Sequence, residues 1–214
     1  MTAAEPTTRT SLLDAAELLI TERGFARASV RAITEAANAN VAAVNYHFGS
    51  KLELIKAVIE RRIGPLNAER LRRLEACEAG GEVTLEAVVE AFVAPAIADA
   101  RAESHRQRLA RLLGMAFSQP SSELRAVMLQ QFRPVIDRFV PVLIELLPDV
   151  SQEQIYWRVH FMIGALAFTI GLGDIVEAYS DGRCDASDMD SISRQLVEFL
   201  TAGFRYGTPG EDSR

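Results

Sequence analysis

The chain has 214 residues, 49% of them hydrophobic, which allows one sizeable core or two small ones and excludes a disordered polypeptide. The net charge of −6 is unevenly spread: residues 1–73 carry 11 Lys/Arg against 8 Asp/Glu, and residues 74–214 carry 12 against 21, a mildly basic front on an acidic body. The N-terminus MTAAEPTTRTS lacks a basic-then-apolar leader, the longest apolar run (161–172) is too short for a bilayer and reads as a buried helix, and Cys77 and Cys184 lack metal-type spacing, which together predict a cytoplasmic protein with free thiols, no membrane partner, no metal and no cofactor.

Helical periodicity runs through almost the whole chain. Residues 8–23 place Leu12, Ala16, Leu19 and Ile20 on one face, and Gly24 ends that helix. Ser29 is a good N-cap for a second helix over 30–37, with Val30, Ile33 and Ala37 turned inward. Asn38 occupies the turn, where Asn tolerates the left-handed conformation, and Asn40 caps a third helix over about 41–47 that buries Val41, Val44 and then Phe48. Ser50 caps a long fourth helix with Ile55, Val58, Ile59, Ile63 and Leu66 on one side.

Beyond the EAGGE linker (78–82), Thr84 caps a helix to about 102, another covers about 104–117, and a long one covers 122–147. Ser151 and Gln154 form a capping box before a helix to about 179, Asp181-Gly182 makes a turn, and a last helix covers about 187–205. The expected fold is all-α, about nine helices, with an N-terminal helix-turn-helix head of three helices on a larger C-terminal helical bundle. Residues 1–50, with the connecting helix to about 66, form the head; residues 67–206 form the body; 207–214 form a flexible tail.

The second and third helices carry the chemistry. Ala42 and Ala43 let the backbone approach a duplex closely. Asn45 suits an adenine edge or a phosphate, and Tyr46 and His47 can hydrogen-bond phosphate oxygens. Lys51 begins the next helix, where a cation and free N–H groups both attract a phosphate. Arg31 and Thr34 are expected on the outward side of the bracing helix, with Arg9 and Thr10 at the start of the first. The candidate DNA-contacting set is therefore Arg9, Thr10, Ser29, Arg31, Thr34, Asn40, Val41, Ala42, Ala43, Asn45, Tyr46, His47 and Lys51. Two short helices around a turn also occur in proteins that bind no nucleic acid, so the pattern alone leaves a helical protein-interaction module open.

The segment from Thr8 to about Leu66 resembles the N-terminal domain of the TetR family of bacterial transcriptional regulators. The stretch A-N-A-N-V-A-A-V-N-Y-H-F-G-S-K (37–51) matches the family's turn, recognition helix and following Ser-Lys. Ser29-Val30-Arg31-Ala32-Ile33 fits its second helix, and the pattern from Leu13 to Phe25 fits its first. Asn38 stands where Gly is usual, and Asn45 where a phosphate-contacting Tyr is common. The resemblance implies a homodimer that binds a palindromic operator on double-stranded DNA and is released by a small effector in the C-terminal bundle. It implies a repressor, with an activator lacking small-molecule control as the alternative. Half-sites read on one duplex face lie about 34–36 Å apart, or a multiple.

The body carries little motif. Its bulky residues predict a mainly apolar effector pocket. The candidates are Phe92, Phe117, Met128, Phe132, Trp157 and Phe161, with Arg111, Gln131, Arg133 and His160 as polar anchors. Pro95, Pro134 and Pro141 fall inside predicted helices, where each removes a backbone hydrogen bond. Gly64-Pro65 is expected to bend the fourth helix and act as a hinge. The head with this junction resembles a subgroup that senses fatty acids or acyl-CoA thioesters. Gly164, Phe168 and Gly171, with Leu196, Phe199 and Phe204 of the last helix, are expected at the dimer interface. No catalytic residue is assigned: His105 and His160 sit in no metal motif, and there is no Gly-rich phosphate loop and no G-x-S-x-G.

Overall fold

The computed structural model describes residues 7–24, 27–102, 104–107 and 122–206. Among them the protein is all-α, with no strand. Nine helices are delimited: α1 Thr8–Arg23, α2 Val30–Ala36, α3 Val41–Phe48, α4 Lys51–Ala79, α5 Leu85–Ala100, α6 Ser122–Leu146, α7 Gln152–Leu172, α8 Asp174–Tyr179 and α9 Met189–Arg205. Residues 104–107 are helical as well. Arg111, Phe117, Phe25 and the tail 207–214, all singled out from sequence, lie outside the described residues.

Short polar side chains start most of these helices. The Ser29 hydroxyl accepts from the Ala32 N–H at 3.1 Å, the Asn40 carboxamide oxygen from Ala42 at 2.9 Å, and the Ser50 hydroxyl from Glu53 at 3.1 Å. Ser151 and Gln154 form the reciprocal capping box. Asn38 adopts a left-handed φ of 50°, which lets the α2–α3 turn close without a glycine.

Two compact units emerge, one from the described residues within 1–64 and 111–131, the other from those within 65–110 and 132–214. In the first, Leu12, Ala16 and Ile20 of α1, Ile33 of α2, Val44 of α3 and Leu54, Ile55, Val58 and Ile59 of α4 form the core. Val41, expected to be buried, is 51% exposed, because only Val44 of α3 turns fully into this core. A polar clamp around the buried Glu17 joins α1 to α4: Arg61 donates to Asp14 at 2.7 Å and to Glu17, and Arg62 donates to Glu17 at 2.5 Å.

In the second unit α5 is the central helix, packed on α7 and α9. Phe92 meets Phe139 edge-on at 5.4 Å. Here the α4 stripe continues as Asn67, Arg70 and Leu74, all buried. Arg70 donates to the Phe92 carbonyl at 2.8 Å and to Asn67 at 3.0 Å, and its guanidinium lies 4.2 Å from the centre of the Phe92 ring. Burial pulls its pKa down to about 10.

The helix expected to run to about residue 179 is two helices. Gly173 breaks it: a side-chain carbon there would sit 2.7 Å from the Thr169 carbonyl oxygen, so the tight junction requires glycine. The expectation of a buried α7 also fails. By length and composition α7 is apolar enough to cross a membrane, yet only one of its faces is buried. Ile155, Val159, Met162, Leu166 and Ile170 are buried, and Arg158 reaches across to the Phe204 carbonyl at 2.7 Å. The opposite face stays exposed.

Candidate nucleic-acid interface

The α2–α3 pair is positioned by its caps and by the core beneath it. Ser29 and Asn40 spend their side-chain acceptors on the starts of α2 and α3, so both shape the interface before touching anything outside it. Gly49, at φ 79°, closes α3 by donating to the Asn45 carbonyl at 3.0 Å.

Most of the proposed contact set shares this surface. Arg9, Thr10, Ser29, Arg31, Asn40, Val41, Ala42, Asn45 and Tyr46 are exposed, and Ala43, His47 and Lys51 are half-buried. Tyr46, 85% exposed, meets His47 edge-on at 4.9 Å. Arg9 places its guanidinium 5.2 Å from the centre of the Phe48 ring, which seats a cation of α1 beside the end of α3. Burial lowers the Lys51 ammonium below its ordinary pKa.

Thr34 departs from expectation. It is 2% exposed, and its hydroxyl donates to the carbonyls of Val30 at 3.0 Å and Arg31 at 3.1 Å. It lies on the inner side of α2 with Ile33, and turns its polarity back onto its own helix. It belongs to the packing of the head and not to the contact surface.

In the second unit the apolar candidates separate by face. Phe92 is core, and Phe132 is half-buried on α6. Met128 and Gln131 are half-buried and fall in the first unit. Arg133, expected as a polar anchor, is exposed and paired with Asp137 one turn along the same helix at 2.9 Å. Trp157, His160 and Phe161, expected to line an effector pocket, lie exposed on the outer face of α7, where Trp157 stacks on Phe161 at 5.9 Å and both border an open depression with Gln154 and Arg158. The α7 spacing puts them on one stripe with Gly164 and Phe168.

Of the interface candidates, Gly164, Phe168 and Phe199 are exposed and Gly171 is half-buried. Leu196 and Phe204 correct the expectation: both are buried, Phe204 to 1% exposure, because this face of α9 packs within its own unit. A groove of about 770 Å³ lies among Phe168, Leu172, Ile175, Tyr179 and Phe199, and sequence reasoning missed α8's share of it. Both cysteines are free thiols. Among the described residues no group of His, Cys, Asp and Glu is arranged to hold a metal ion.

Comparison with known proteins agrees with this geometry. A family profile described as "Bacterial regulatory proteins, tetR family" matches residues 12–58, and one described as "Tetracyclin repressor-like, C-terminal domain" matches residues 90–203, over half the chain. No functionally curated protein matched. Among solved structures, the chain is similar to the fatty acid degradation regulator FadR of Bacillus halodurans, at TM-score 0.62 and 17% identity over 96% of this chain and 100% of that one. It is also similar to the transcriptional regulator FadR of Bacillus subtilis in complex with stearoyl-CoA, at TM-score 0.67 and 14% identity over 90% and 97% of the two chains. A TetR-family transcriptional regulator from Bordetella parapertussis aligns at TM-score 0.62 and 15% identity over 90% and 93%. At these identities the structures speak for the fold alone, while the two profiles carry the assignment: the chain belongs to the TetR family of bacterial transcriptional regulators.

Proposed function

We propose that the protein is a cytoplasmic repressor that binds a palindromic operator as a homodimer and is released by a small hydrophobic effector. The observation that carries this reading is the surface of α3. Asn45 and Tyr46 stand exposed beside small alanines, and their backbone is held by caps and a core that need neither side chain. Residues 1–50, with α4 to about residue 66, are the DNA-binding part; the second unit holds the effector and dimer functions.

The dimer uses the exposed face of α7 and α9. Phe161, Phe168 and Phe199 lie open, and a side-chain carbon added at Gly164 or Gly203 would meet nothing within 4 Å. A large exposed apolar face rimmed by polar residues marks an interaction surface, and glycines let a second helix pair approach closely. The effector is of fatty-acid or acyl-CoA class. This rests on the likeness to two structures described as FadR, one of them bound to stearoyl-CoA. Phe92 and Phe132, both in that unit, remain candidate contacts.

Gly64 and Pro65 form the hinge. The division between the two units falls between them, although α4 continues through the point. Pro65 has no N–H to give the Arg61 carbonyl, which weakens the helix there.

A salt titration with a mixed-sequence duplex tests DNA binding. Phosphate contacts make log K fall steeply with log salt concentration. A protein-interaction module shows no duplex binding at any salt concentration.

A further inference from the structure

Val41 opens α3, and about half of its side chain is exposed. It contributes little to the core, which takes Val44 from this helix. Asn45 follows one turn later on the same face. It too is exposed, and its carboxamide has no hydrogen-bond partner among the described residues. Ala42 is exposed beside Val41 and adds no long side chain to this face. Asn40, the nearest other amide, is committed to its cap.

The resulting surface sets two methyl groups beside one donor–acceptor amide. Base edges in the major groove offer one matching pair of features. Thymine alone presents a methyl group, and adenine presents the N7 acceptor and N6 donor that a carboxamide matches. One helical turn advances about 5.4 Å and one base pair about 3.4 Å, so side chains one turn apart reach neighbouring base pairs.

We propose that Val41 packs on the 5-methyl group of a thymine in each half-site, beside an adenine read by Asn45, and that this methyl contact helps to set operator sequence. The inference rests on the DNA-binding reading above. It goes beyond that reading by naming the base feature and the residue that reads it.

Uracil in place of thymine removes the methyl group and keeps the base pair, so it isolates the contact. The full-length protein is used to enrich duplexes from a random library, and an enriched duplex is remade with uracil at one thymine position at a time. Uracil at one position in a half-site weakens binding about fourfold, the worth of one buried methyl-sized group. Val41→Ala binds the thymine and uracil duplexes equally, with an unchanged thermal midpoint because the residue is outside the core. A uracil effect that persists undiminished in Val41→Ala overturns the proposal, since another side chain then meets the methyl group. Indifference of the wild-type protein to uracil at every position overturns it as well. Failure of the library to enrich any duplex removes the DNA-binding reading itself, an outcome distinct from binding that ignores the methyl group.

Discussion

The Glu17 carboxylate, 4% exposed on α1, accepts from the Arg62 Nε–H on α4 at 2.5 Å. Arg61 donates to the same carboxylate and to Asp14. Burial acts against the Arg61 cation, but the hydrogen bonds to Asp14 and Glu17 outweigh it and raise its pKa. Removing one partner of a buried pair leaves the other uncompensated. Because both arginines are partly solvated, Glu17→Gln should cost about 1–3 kcal/mol. Urea denaturation checks this; a loss below about 0.5 kcal/mol would place the clamp among ion pairs of no consequence.

The recognition surface should separate affinity from stability. Tyr46→Ala should weaken operator binding at least about tenfold, the loss of one or two hydrogen bonds to an ionised group, with an unchanged melting temperature. Arg31→Ala should weaken binding evenly across sequences and reduce the salt slope by about 1. Thr34→Val should act in the opposite manner, lowering stability before affinity, because its hydroxyl is bonded to its own helix. Anisotropy titrations beside thermal melts distinguish these patterns.

Assembly rests on the outer faces of α7 and α9. Phe168→Glu combined with Phe199→Glu should yield a folded monomer, since both side chains are exposed in the single chain. Sedimentation velocity at micromolar concentration reads the result. A wild-type monomer, or a double variant that still dimerises, contradicts this interface.

The hinge makes a narrower claim. Pro65→Ala restores an N–H to α4 and should change effector response more than operator affinity. Equal changes in both would remove Gly64-Pro65 from the coupling.

On α4, hydrogen bonds from Arg72 and Arg73 hold the Glu69 carboxyl down at a pKa of about 2. The folded value lies below the ordinary one near 4.5, so any stabilisation is present above about pH 4.5 and disappears as pH falls toward 2. An NMR titration should place the Glu69 midpoint near 2. Replacing both arginines by alanine should return it toward 4.5.

Local rules made the head legible. Ser29, Asn40 and Ser50 announced their helices because capping depends on residues two or three positions away. The left-handed Asn38 was readable for the same reason. The misplacements came from faces set by partners distant in sequence. Thr34 sits beside Ile33 on a seven-residue helix, where one residue decides between inside and outside. The apolar stripe of α4 ends in the sequence at Leu66, although the same period reaches Asn67, Arg70 and Leu74; the charge on Arg70 hides its burial. Glu17 was hidden similarly, a carboxylate inside the apolar stripe of α1 whose partners lie 44 and 45 residues away. In the body, aromatic periodicity showed that α7 has an apolar face. It does not show that a second apolar face on the same helix, the one carrying Trp157, His160 and Phe161, is left open.

The most direct measurement is selection of bound duplexes from a random library by the full-length protein, followed by sequencing. The account predicts enrichment of a palindrome whose half-sites are centred about one helical turn, or a multiple, apart. Enrichment should be lost with Tyr46→Ala. A pool that remains random, or an enriched single site without two-fold symmetry, would contradict it.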